Sequence, residues 1–153
     1  MRRHTGWVRH TSELVIDAPA ATVGPALADL DTYPHWNELV AEAVRDDSTD
    51  DGPAWSTTLR ARVGPFARAK QLRFVRTEDE RSDGDFRARF ERRELDGRDH
   101  AAWMMESTVA AEAETSRVTL TLSYEGGLWV PALGGVLSAA IERSSERLVQ
   151  YVK

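Results

Sequence analysis

At 153 residues, with 41% apolar and 29% charged side chains, the chain has the size and composition of one globular domain, not of a disordered or fibrous segment. The absence of cysteine excludes disulfides, thiolate metal sites and cysteine nucleophiles, and a net charge of −5 argues against holding nucleic acid through an overall positive field. No apolar run approaches the roughly 18 residues a membrane-spanning helix needs, and none follows the basic start Met1-Arg2-Arg3-His4, so neither a transmembrane segment nor a secretory leader is expected.

The expected compartment is the cytoplasm, a bacterial source is expected, and a ratio of 18 Arg to 2 Lys reads as the mark of a GC-rich genome. With no repeat and no Pro/Gly/Ser linker, residues 1–153 read as a single domain.

In chain order, Ser12–Ile16 reads as a strand ending at Asp17-Ala18-Pro19. Val23, Ala26, Leu27 and Leu30 then recur at helical spacing, Tyr33-Pro34 breaks the pattern, and His35–Leu39 has room for one short second helical turn. Pro25 lacks an amide hydrogen and suits only a first turn, so the first helix is expected to start late, near Thr22, or to bend. A short strand over Val40–Val44 is followed by the acidic turn Asp46–Pro53. Period-two alternation then marks consecutive strands: Trp55, Thr57, Leu59, Ala61 and Val63 on one face; Leu72 and Phe74; Phe86, Ala88 and Phe90; Trp103, Met105, Ser107 and Val109; and Val118, Leu120, Leu122 and Tyr124. Short turns between them predict an antiparallel meander. Residues 133 to 152 switch to helical period, and Val136, Leu137, Ala140, Ile141 and Leu148 are expected to lie on the sheet. The sum is an α+β protein: strand, two short helices, six strands, one long helix.

Ile16-Asp17-Ala18-Pro19, with Val23, Leu27, Asp29-Leu30 and Tyr33-Pro34-His35-Trp36-Asn37, resembles the opening of the START-like (SRPBCC) superfamily, which includes polyketide cyclases and lipid-transfer domains. Val63-Gly64-Pro65-Phe66, and Gly126-Gly127-Leu128 through Leu133-Gly134-Gly135-Val136-Leu137, look like its carbon monoxide dehydrogenase branch, which holds a small maturation component of that enzyme. The resemblance implies the helix-grip fold: a bent antiparallel sheet around the C-terminal helix, with an apolar cavity between them. Gly24 departs from the pattern, since the family usually carries an aromatic residue there; its absence is expected to widen the cavity.

The cavity lining expected on this basis is Trp36, Trp55, Leu59, Phe74, Phe86, Phe90, Trp103, Met105, Leu122, Tyr124, Trp129 and Leu137. A filled core would use the same rings. Tyr124, Ser107 and Thr57 bring hydroxyls to the inward rows, where each needs a partner from protein, water or ligand. Arg92 and Glu94 continue the inward parity of Phe90, but the strand end is expected to turn them to solvent. His4, His10, His35 and His100 lack metal-ligand spacing; His35 beside Trp36 suits either a cavity mouth or plain surface. There is no Gly-x-Ser-x-Gly elbow, and Asp29 and Asp31 stand too close in sequence to form a paired-carboxylate site. Residues 59–99 form a basic island, with Arg60, Arg62, Arg73, Arg87, Arg89 and Arg93 on the outward parity. The interleaved Glu78, Glu80, Asp83, Asp85 and Glu91 predict a mutually compensated, solvated face.

The reading is thus a cofactor-free domain that binds a small hydrophobic or aromatic molecule, lipid or polyketide-like, as carrier or sensor. It expects no nucleic acid and leaves room for a protein partner. One rival is a polyketide aromatase/cyclase that would draw its proton-moving groups from Tyr124, Ser107, His35 and Arg92. Another, from the likeness to the dehydrogenase branch, is an accessory protein of a dehydrogenase complex.

Overall fold

In the computed structural model, residues 7–47, 52–63, 65–125 and 131–153 are described. The elements are β1 (Trp7–Ile16), α1 (Ala20–Leu27), a 3₁₀ helix (Leu30–His35), β2 (Val40–Arg45), β3 (Ala54–Val63), β4 (Phe66–Ser82), β5 (Asp85–Arg92), β6 (Trp103–Glu112), β7 (Thr115–Glu125) and α2 (Pro131–Tyr151). All strands pair antiparallel in one sheet ordered β1-β7-β6-β5-β4-β3-β2. Because α2 packs against β1 and β7 at one end of that order and β3 near the other, the sheet has to curl around it. That is the helix grip.

Alternation decides which side chains meet the helix. In β1, Val8, His10, Ser12, Leu14 and Ile16 turn inward while Trp7, Arg9, Thr11, Glu13 and Val15 are exposed. Register carries the row across the sheet: Ser12 opposes Leu120, Leu120 opposes Ser107, and Ser107 opposes Ala88. Bulges at Ala41 and Thr77 shift parity locally. On α2, Leu137, Ala140, Ile141, Ser144 and Leu148 are buried, whereas Val136 is only half-buried on the flank.

Several boundaries move from their sequence expectation. β1 starts five residues early because its alternation, polar inward members included, runs back to Trp7. α1 begins at Ala20, with Pro19 in extended conformation before it, and Thr22 and Val23 donate to the Pro19 carbonyl at 2.9 and 3.2 Å. Pro25 falls late in the helix, which ends two residues beyond it. The second short helix covers Leu30–His35, not His35–Leu39, because the Asp29 carboxylate accepts the Asp31 amide at 2.9 Å and caps it there.

Candidate ligand-binding site

The inward face carries a continuous cluster of rings. Tyr33 lies 4.5 Å from Trp36 and meets Phe90 edge-on at 5.6 Å, and Trp55 meets Phe90 edge-on at 5.5 Å. Trp36, Trp55, Phe74 and Phe90 are each fully buried. Both buried indoles have their N–H satisfied: Trp55 donates to Asp31 at 2.9 Å and Trp36 to Thr32 at 3.2 Å. This part of the interior is packed solid.

Space remains beside it. An inner cavity of about 30 Å³ is lined by Tyr33, Trp36, Asn37, Leu39, Met105, Leu120, Leu122, Ile141 and Ser144, among others. That volume holds about one water molecule. Across the Asn37–Leu39 segment lies an outer groove of about 370 Å³, bounded by Pro34, Glu38, Val40, Ala41, the end of β3 (Arg60, Ala61, Arg62) and the flank of α2 (Val136, Ala140, Arg143, Arg147). Asn37 and Leu39 line both spaces, so a short stretch of chain is all that divides them.

That dividing segment is clasped to α2. Ser144 Oγ accepts the Glu38 amide at 2.8 Å and donates to the Ala140 carbonyl at 2.7 Å. The Glu38 carboxylate accepts from Arg143 at 2.8 Å and Arg147 at 2.9 Å, and the Arg143 hydrogen bond above all holds its carboxyl below the usual range.

At the end of the sheet where β1 begins, Trp103 stacks on Tyr124 at 4.9 Å, and His10 Nε2 lies 3.5 Å from the Tyr124 hydroxyl. Burial raises the pKa of the Tyr124 phenol and lowers that of the His10 imidazole, so both groups favour their neutral forms. Tyr33 is fully buried, donates to the Leu27 carbonyl at 2.8 Å, and has its phenol pKa pushed far up by burial. Ser107 Oγ is, among the described residues, the buried side-chain polar atom left without a hydrogen bond of good geometry.

The expected lining therefore divides. Trp36, Met105 and Leu122 border the inner cavity. Trp55, Leu59, Phe74, Phe90 and Leu137 are buried without bordering it. Trp103 and Tyr124 form their own pair, and Trp129 lies outside the described residues. Phe86 stands apart, its ring against Gly24 of α1, which corrects the expectation at that glycine: the space is occupied, and the cavity is not widened.

Arg92 is also corrected. Its side chain is only 7% exposed, because Glu94 accepts from it at 2.7 Å and the Ala101 carbonyl at 3.1 Å. Arg73, expected on a solvated stripe, is buried beside Asp46 and the Arg93 carbonyl. His35 is exposed and stacked on Tyr151, which fits the surface reading.

Sequence reasoning overlooks Tyr33, Asn37, Leu39, Leu120, Ile141 and Ser144 as cavity neighbours. Leu120 and Ile141 are visible as inward positions. Tyr33 is masked by Pro34, which signals chain breaking and draws attention from the ring.

Sheet, grip and enclosed helix define a helix-grip protein, and comparison agrees. Residues 8–153 match the family model described as "Polyketide cyclase / dehydrase and lipid transport", and the chain belongs to that family. No curated protein matches it significantly. Among solved structures it is similar to a START superfamily protein from Mycobacterium smegmatis (12% identity, TM-score 0.64, covering 94% of this chain and 96% of that one). It is also similar to the Zhui aromatase/cyclase from Streptomyces sp. R1128 (16%, 0.61, 96% and 94%) and to human STARD10 (11%, 0.71, 95% and 62%, so that it spans less than two thirds of the latter). No helix among the described residues is long and apolar enough to cross a membrane.

Proposed function

We propose that this chain binds a small hydrophobic or aromatic molecule between the sheet and α2, without transforming it. The observation that carries the reading is the pairing of an apolar inner cavity with a surface groove through the shared residues Asn37 and Leu39. The family to which the chain belongs handles such molecules, by its description. With room for only about one water inside, a ligand enters by displacing side chains, and those bordering the cavity suit this. Met105 is unbranched and adaptable, and Leu39 sits on a segment held to α2 by the Ser144 and Glu38 contacts alone among the described polar interactions.

Trp36, Met105 and Leu122, with Tyr33, Leu39 and Ile141, are the proposed contacts. Native mass spectrometry of the protein purified from cell extract tests this: a retained apolar molecule, displaced by denaturation, is the expected result. Conversion of a polyketide mimic to a cyclised or dehydrated product by the protein would instead favour the aromatase/cyclase reading.

A further inference from the structure

The basic island is compensated only in part. Arg87 and Arg89 share Glu78 and Glu106, Arg93 meets Glu91, Arg76 meets Asp79, and Arg92 meets Glu94. The β3–β4 hairpin differs. From Gly52 to Thr77 the sequence has no acidic residue, yet it holds Arg60, Arg62, Arg68 and Lys70. Among the described residues none of these four has a carboxylate partner, and all are exposed in a chain of net charge −5. Arg60 and Arg62 border the outer groove; Arg68 stands opposite Ala61, another of its residues. From across the groove come Arg143 and Arg147, with Glu38 between them as the one acidic residue of the lining among the described residues. Four arginines thus contribute to the lining of one groove of about 370 Å³, against a single glutamate among its described residues.

We infer that the outer groove holds the anionic head of the ligand, a carboxylate or phosphate, whose apolar body enters past Asn37 and Leu39. The inference rests on the proposed apolar binding. Guanidiniums suit this task because their planar donors match carboxylate and phosphate oxygens two at a time. A surface groove lined by one sign of charge also concentrates anions before they dock. Glu38 fits as the resident carboxylate that an arriving head partly displaces from Arg143 and Arg147, which also loosens the clasp over the inner cavity.

The test is calorimetric titration of the full chain, at low salt, with dodecanoate, dodecyl phosphate, dodecanol and inorganic pyrophosphate. Dodecanoate or dodecyl phosphate is expected to bind at least about tenfold more tightly than dodecanol, as expected for charge-assisted hydrogen bonds. R60Q/R62Q is expected to remove most of that preference while leaving dodecanol binding unchanged, and Glu38→Gln to strengthen binding of the acids. Equal binding of acid and alcohol would overturn the anionic head and leave the apolar site standing. Failure of all three amphiphiles would overturn both readings. Pyrophosphate binding alone would overturn the amphiphile head and identify a free-anion site.

Discussion

Gly24 of α1 and Phe86 of β5 occupy one shared volume: a methyl group at residue 24 would overlap the ring carbons of Phe86. Where the resemblance to START-like proteins implies an aromatic side chain from the helix, this chain brings one from the sheet. Gly24→Ala gains about 1 kcal/mol of helix propensity but overpacks the ring by about 1–3 kcal/mol, for an expected net loss of up to about 2 kcal/mol. In a Phe86→Ala background the same change is expected to stabilise by up to about 1 kcal/mol. Urea denaturation of the four proteins measures the coupling, and additive effects would show that the ring does not depend on the glycine.

Ile141 faces the sheet from the middle of α2 and borders the inner cavity. Ile141→Asp places an unpaired carboxylate there, at an expected cost of about 4 kcal/mol or more, enough to unfold a marginal domain. A soluble Ile141→Asp variant with a cooperative melt near the parent's would refute this packing of the helix.

The architecture is legible in the sequence because it rests on periodicity. Each inward row read from alternation is buried in its central members, and the stripe Leu137, Ala140, Ile141, Leu148 meets the sheet. The site is less legible, for two reasons. Alternation says which side of a strand a ring takes, but not whether a neighbour fills the space beside it, as Phe86 does at Gly24. Nor does it show long-range pairing. Arg92 reads as solvent-facing because parity does not show Glu94, two residues on, and the Ala101 carbonyl, across a loop, folding back onto it, while Arg60 groups in sequence with neighbours whose carboxylates it does not share.

Trp55 and Trp103 differ in burial, so truncation should separate them. Trp55→Ala removes a fully buried, hydrogen-bonded indole and is expected to cost about 3–5 kcal/mol. Half-buried Trp103, stacked on Tyr124, is expected to cost about 1–3 kcal/mol. Thermal melts followed by circular dichroism give the comparison, and equal losses would contradict the difference in packing.

Among the described residues the Tyr124 hydroxyl has only a long contact to His10 at 3.5 Å, so Tyr124→Phe is expected to change stability by less than about 1 kcal/mol. If the ligand accepts from this phenol, affinity falls by about 0.5–1.5 kcal/mol. A loss of turnover on a polyketide mimic of about 10²–10⁴-fold would instead give Tyr124 a proton-transfer role and overturn the carrier reading.

Acid should weaken the clasp on α2. The Glu38 carboxyl titrates below its ordinary 4.5 in the folded chain because Arg143 and Arg147 favour its charged form. The unfolded chain therefore takes up the proton first, and the contribution to stability, complete above 4.5, is lost as pH falls through the lower folded value. Comparing melts of the parent and Glu38→Gln from about pH 7 to about pH 3 checks the sign: their difference should shrink toward acid, and a constant difference would show that the carboxylate's charge is not what matters.

The position of α2 has a consequence for solubility. β1 pairs with β7 on one side only, and β2, at the other edge of the sheet, is six residues long and interrupted by a bulge. The short edge is blunted by its own irregularity, whereas the ten-residue edge strand is held through its inner face by α2, tied by Ser12 and Ser145 at 2.9 Å. A change that loosens α2 removes that packing, and a freed edge strand can recruit another chain. Resistance to self-association thus rests on the same helix that closes the core, and variants with a looser grip should be the first to form aggregates.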